Sequence, residues 1–335
     1  MPVLLQQSQD SPQTFGGATE EHRPWFRSLT TQLVSNRLVL WGGVIIFLLA
    51  IAALAAPVLA KHKILADPLE QFKDGLDADG MPLPPSKRFL LGTDSLGRDI
   101  LSRAIHGGRV SLVVGIAAML IATLIGVSVG LVAGFFGGKT DTLLMRGTEV
   151  MMTIPSLLLA IAFAGFMDGK LVHLHPASLP WHFLDFKLQQ GVASIFLVIG
   201  LLSWTGIVRV VRGEVLGLKE REFLQAARVL GASNARLILR HILPNVMPTI
   251  IILAVMSTAG TILLEVGLAY LGIGARPLPA PSWGSMISEG QPYFISSPHI
   301  VIAPGVAIVL TVLAFNLLGQ GLQEVFDPLR KDRSA

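Results

Sequence analysis

The sequence predicts an all-α polytopic membrane protein with six transmembrane helices, and three observations carry that prediction. Only 14% of the 335 residues are charged and 52% are hydrophobic, whereas soluble domains carry about 25% charged residues. Mean hydropathy is correspondingly high at +0.63. The uncharged runs 38–60, 110–138, 150–167, 188–208, 241–264 and 290–323 are each 18 residues or longer. A helix needs roughly 20 apolar residues to cross a hydrocarbon core of about 30 Å. None of these runs has the period-two alternation of barrel strands, and in lipid every backbone polar group must be paired within its element. Helices remain.

Taken in order, residues 1–37 form a polar leader rich in Gln, Ser and Thr. Residues 38–60 follow as the first transmembrane helix. At 23 residues behind a charged leader, this run is too long for a secretory signal core and reads as a retained anchor. Residues 61–109 form an extracytoplasmic loop, and 110–329 a core domain with five further helices. Within that core, 209–245 is a charged loop, and 330–335 is a tail. Six spans place both termini on one side. The leader, the turn at 139–146, the segment 209–240 and the tail hold 15 of the 26 Lys and Arg, so the positive-inside rule puts the termini in the cytoplasm.

Composition also excludes several classes. With no Cys, disulfides, thiolate catalysis and Cys-ligated metal sites are ruled out. The net charge of +4 is spread over several loops instead of one soluble patch, so no nucleic-acid partner is expected. Membrane lipid is one.

The most informative segment is the loop from Arg209 to Asn245, which holds seven basic and three acidic residues. Phe223, Ala226, Ala227 and Leu230 follow helical spacing and form an apolar stripe, while Arg221, Glu222, Gln225 and Arg228 form a polar one. Gly231 suits the end of that helix, Ser233 the cap of a second, and Pro244 the junction with span five. The prediction is a helix-turn-helix bracket over about 213–244. Small residues at 226, 227 and 231 permit close approach by a partner backbone; basic residues equally suit lipid headgroups. Pattern alone leaves both readings open.

Gln225-Ala226-Ala227, then Gly231, then Ile242-Leu243-Pro244 resembles the EAA loop of permease subunits from binding-protein-dependent ABC importers. Gln225 stands where the motif has Glu, and the Ile-Leu-Pro is compact, as in the peptide and nickel branch. The stretches Leu91-Gly92-Thr93-Asp94, Gly97-Arg98-Asp99 and Ser102-Arg103 are similar to that branch too. So are Glu265, Leu271-Gly272, Pro281-Ser282-Trp283-Gly284-Ser285-Met286, Asn316-Leu317-Leu318-Gly319 and Asp327-Pro328, although Gln320 replaces the usual acid. The resemblance covers roughly 35–329.

This resemblance implies the type I ABC importer transmembrane fold and the second permease of a dipeptide or oligopeptide importer in a bacterial or archaeal plasma (inner) membrane. It also implies several partners: a homologous permease subunit, two ATPase subunits and an extracytoplasmic substrate-binding protein. Glu222, Gln225, Ala226, Ala227, Gly231, Ile242, Leu243 and Pro244 are then the ATPase-coupling residues. The chain itself is no enzyme and holds no cofactor; ATP and Mg sit on the ATPases. Import of nickel or another small solute is the alternative within the branch. An ion-gradient-driven secondary transporter is the alternative outside it, and would call for repeats or several buried acids, which the sequence lacks.

Four other signals need weighing. Gly137-Gly138-Lys139-Thr140 resembles the end of a phosphate loop, but Ala133 occupies the position that needs Gly and no strand precedes it, so a turn is expected. Glu265 interrupts an apolar stretch and is the acid expected at membrane depth; it either lines the translocation path or pairs near the end of span five. His173, His175 and His182 share a loop without an evident fourth ligand, so no metal site is assigned. The charges Asp94, Arg98, Asp99, Arg103 and Arg109 read as local pairs that stabilise an outer loop, with contact to an external receptor or companion subunit as the alternative. No Ser-His nucleophile arrangement occurs.

Overall fold

Asn36 starts the first helix by accepting hydrogen bonds at its Oδ1 from the amides of Leu38 (2.8 Å) and Val39 (3.2 Å), donors that a helix start leaves unpaired. In this computed structural model, which describes residues 32–167, 192–273 and 281–326, α1 spans Arg37–Lys61, α2 Ile100–Phe136, α3 Gly138–Thr153 and α4 Ser156–Met167. There follow α5 (Val192–Lys219), α6 (Glu222–Val229) and α7 (Asn234–Arg236), then a π-helical turn, Leu237–Ile242, that runs into α8 (Leu243–Tyr270). The chain finishes with α9 (Trp283–Gly290) and α10 (His299–Phe326). Among the described residues, five helical stretches are long and apolar enough to cross a membrane, and α3 with α4 makes a sixth if that bent pair counts as one span.

Four boundaries differ from the sequence expectation. Helix α5 runs on to Lys219, so the first part of the expected loop 209–245, and of the bracket expected from about 213, belongs to that span, and the bracket proper starts with α6 at Glu222. Helix α2 begins at Ile100, inside the stretch assigned to loop 61–109, because Arg103 is neutralised by acids and so can enter a helix that the uncharged-run criterion begins at 110. The turn expected at 139–146 is helical, and the third span bends by 90° between α3 and α4. Pro155 causes that bend: it disfavours the helical conformation of the residue before it, and Ile154 is extended at φ −90°, ψ 127°. The apolar run 290–323 also starts too early, since α10 begins only at His299.

The central packing is α2 against α5. Gly126, Gly130 and Gly134 of α2 face Ile207, Val211 and Val215 of α5. A Cβ added at these glycines would lie 2.7, 2.9 and 2.7 Å from the Cβ atoms opposite. Lipid tails are as apolar as side chains, so burial alone drives membrane helices together weakly, and close backbone approach supplies dispersion contact instead. At its start α1 is tied to the end of α10, where Asn36 Nδ2 donates to Glu324 Oε2 at 2.9 Å. Gly42 lets α1 touch the backbone of Leu318.

Candidate functional site

The bracket forms as a helix, turn and helix. Arg221 precedes α6, and its last turn closes with Gly231 N donating to Arg228 O (3.0 Å) and Ala232 N to Ala227 O (3.0 Å). That Schellman pattern needs a left-handed residue after the helix, and Gly231 has φ +83°. Ser233 then caps α7, its Oγ accepting from Arg236 N at 3.3 Å. Pro244 has no N–H to continue the α-helical ladder, and the preceding turn widens: Leu243 N reaches Ile238 O, and Asn245 Nδ2 donates to His241 O at 2.6 Å.

One side of the bracket is bolted to the spans. Leu224 (5% exposed), Leu237 (1%) and Ile242 (0%) join a cluster with Phe135, Val211, Val215 and Val246. Arg228 adds a cation–π contact, its guanidinium 5.8 Å from the Phe135 ring centre. The other side faces outward, and its tip is apolar: Val229 and Leu230 are each 88% exposed, alongside Phe223 and Leu239. The predicted stripe is therefore split. Ala227 and the unforeseen Leu224 turn inward, whereas Phe223, Ala226 and Leu230 face out, because α6 packs on the spans with the residues next to the expected ones.

Of the predicted coupling residues, Glu222, Gln225 and Ala226 are exposed on α6, and the Gln225 side chain donates to Glu220 O at 3.2 Å. Gly231 ends the helix. Ile242 is buried, Leu243 half-buried and Pro244 exposed at the root of α8. Two polar ties connect this end to neighbouring helices. Arg212 of α5 grips Asp141 of α3 through two hydrogen bonds of 2.5 and 2.7 Å, and Thr249 of α8 donates to Glu214 of α5 at 2.6 Å. The Gly137-Gly138 stretch is the turn between α2 and α3, with φ +66° and +54°.

Glu265 lies at the opposite end of α8 and is 0% exposed. Ser111 Oγ of α2 donates to its Oε2 at 2.9 Å, and the same hydroxyl accepts from Trp283 N of α9 at 3.3 Å. In this conformation the carboxylate is therefore enclosed by three helices. The nearby charges are buried as well: Asp94 (2%), Arg98 (5%) and Arg103 (2%). Asp94 holds both arginines, and Glu289, from the end of α9, completes the group by accepting from Arg98 Nη2 at 2.5 Å and from Arg103 Nη1 at 2.8 Å. Asp99 caps α2 through Ser102 N at 3.0 Å. Burial pushes its carboxyl above the usual range, against the lowering effect of the Ser102 and Leu101 amides.

Helix α9, Glu289 and the contact of Ser111 with Glu265 escaped the sequence reading. A signal for α9 was present in Ser282 and Ser285, which form a reciprocal capping box. Glu289 carries no local signal, since its partners lie 186 and 191 residues away. His173, His175, His182, Asp327 and Pro328 fall outside the described residues.

The family model for "Binding-protein-dependent transport system inner membrane component" matches residues 126–332, and that for the N-terminal TM domain of oligopeptide transport permease C matches 24–85. The chain belongs to the first of these families. It is 36% identical over 298 residues to the oligopeptide transport system permease protein OppC of Bacillus subtilis, covering 89% of this chain and 88% of that one. Against the di/tripeptide transport system permease protein DppC of Pseudomonas aeruginosa it is 36% identical over 303 residues, with 89% and 90% coverage. It is 34% identical over 308 residues to the glutathione transport system permease protein GsiD of Pectobacterium atrosepticum, with 92% coverage of each. Among solved structures, a chain from the inward-facing MetNI methionine ABC transporter aligns with TM-score 0.52 at 15% identity, over 68% of this chain and 98% of that one. That likeness shows a shared fold. The chain is thus a multi-pass inner-membrane component of a binding-protein-dependent transport system.

Proposed function

We propose that this permease supplies half of the translocation path of an ATP-driven peptide importer. A homologous permease supplies the other half, two ATPases seat on the bracket, and a binding protein delivers cargo at the opposite face. Peptide cargo is inferred from the named relatives, and a cytoplasmic bracket from the basic residues at that end. The observation that carries the docking assignment is the bracket's two-sidedness. Its inner face is locked by Leu224, Leu237 and Ile242, while Val229 and Leu230 protrude on a capped, defined turn. A rigid apolar tip, on a bracket that also exposes Arg221, Glu222 and Arg236, fits a concave protein groove, with charges to set its register.

Mechanically, the bracket continues into α8, whose 28 residues reach about 42 Å. Closure of the ATPases around ATP would displace the bracket and tilt α8 as one rod. Nucleotide must bind the inward-open and outward-open states with different affinity for this to drive transport. ATP chemistry stays on the ATPases, with Mg.

Reconstitution tests the proposal. The complete complex in vesicles should take up labelled di- to tetrapeptides only when ATP is inside the ATPase compartment and the binding protein is outside. Uptake driven by an ion gradient without ATP would overturn it. Nickel uptake with no peptide uptake would reassign the cargo.

A further inference from the structure

We propose that Glu265 is a positioning residue and not a cargo contact. Acting through Ser111, it holds α9 on the first turns of α2, so that a displacement of the bracket end of α8 arrives at the far face as a displacement of α9. The inference rests on the transport reading above and assigns a role to the site at its far end.

Helix α9 joins α8 to α10, yet both of its ends are fastened to α2. At its beginning, Trp283 N donates to Ser111 Oγ (3.3 Å) and Trp283 Nε1 to Ala104 O (2.8 Å). The indole rests on Gly107 and Gly108, where an added Cβ would lie 3.3 and 2.9 Å from ring atoms. At its end, Glu289 receives Arg103, in the first turn of α2, and Arg98, two residues before that helix begins. Gly284 sits against Val266 and Ala269 of α8. Any movement of α8 relative to α2 at this end must carry α9 along or break these ties.

Glu265 controls the first tie through hydrogen-bond directionality. A serine hydroxyl has one proton and two lone pairs. With its proton committed to Glu265 Oε2 at 2.9 Å, Ser111 Oγ presents a lone pair to Trp283 N. Without that acceptor, the hydroxyl of a helical serine turns to the carbonyl four residues earlier, here Gly107. Where that turn carries Oγ away from Trp283, a buried amide loses its acceptor. Glu265 lies 22 residues along α8 from Leu243, about 33 Å from the bracket. It is therefore placed where motion begun at the bracket is handed to α9.

The test uses the full reconstituted complex with Ser111→Ala, Glu265→Leu, Glu265→Gln and the Ser111→Ala/Glu265→Leu double variant. Maximal uptake should fall about tenfold in Ser111→Ala and in Glu265→Leu, with the half-saturating cargo concentration within twofold of the parent. The double variant should be no worse than the poorer single. Glu265→Gln keeps an oxygen for Ser111 and should retain at least half of the uptake. A charge-dependent cargo contact predicts the reverse: Glu265→Gln as damaging as Glu265→Leu, half-saturation raised, and Ser111→Ala near normal. That pattern, or multiplicative losses in the double variant, overturns the assignment. Amide exchange in peptides covering 281–290 should rise in Ser111→Ala and Glu265→Leu, and unchanged exchange would also overturn it. Because exchange needs no transport, it decides the α9 attachment even if the wild-type complex shows no ATP-driven uptake and the transport reading fails.

Discussion

Leu230 gives the sharpest test of the docking surface. Its side chain is 88% exposed at the tip of the bracket, so truncation to Ala removes nothing that the chain uses to fold, and stability should change by no more than about 0.5 kcal/mol. If an ATPase groove buries it, the three carbons lost at about 0.8 kcal/mol each amount to roughly 2 kcal/mol. A factor of ten corresponds to about 1.4 kcal/mol, so the dissociation constant should rise about thirtyfold. Val229→Ala, with two carbons removed, should raise it about tenfold by the same arithmetic. The assay is titration of the purified permease pair, in detergent or nanodiscs, with its ATPase subunits, with thermal unfolding run alongside. Affinity within twofold of wild type for both variants would refute the groove and leave the headgroup reading. A large loss of thermal stability would show instead that the tip packs within the chain. Gly231→Ala provides an independent check. Its Cβ would meet nothing within 4 Å, but φ is +83°, so a backbone cost of about 1–2 kcal/mol should loosen the tip and weaken docking without touching the groove.

Two further outcomes follow from packing. Gly130→Val should force α2 from α5 and lower the unfolding temperature clearly, since even its Cβ would lie 2.9 Å from Val211 Cβ; overpacking typically costs about 1–3 kcal/mol. Adding Val211→Gly should restore part of that loss, and no restoration would show the contact to be unimportant. Within the charge group, Asp94→Asn should destabilise by about 3–5 kcal/mol by leaving two buried arginines short of charge. Glu289→Gln should cost about 1–3 kcal/mol, because its side chain is 25% exposed and water reaches it, against 3% for Asp94. Equal losses in unfolding experiments would contradict that asymmetry.

Much of this protein was legible in its sequence because a membrane imposes a local requirement. A run must be apolar along its length and satisfy its own backbone, so composition alone marked α1 to within a residue at each end and located α5, α8 and α10, although α5 runs on past its uncharged stretch to Lys219 and α10 starts only at His299. The bracket was legible for a similar reason: Gly231, Ser233 and Pro244 act through backbone geometry at their own positions. Features that depend on distant partners were not. Arg98 and Arg103 argued against a buried helix start until Glu289 arrived from across the chain. The stripe on α6 had the right period but its facing was undetermined, since period gives spacing and only the neighbours α2, α5 and α8 decide which side is covered. Glu265 was evident as an acid at membrane depth, yet its enclosure by Ser111 and α9 belongs to the tertiary structure alone. Helix-forming signals act over a few residues, whereas the pairing of a buried charge is settled by whichever side chains the folded helices bring within about 3 Å.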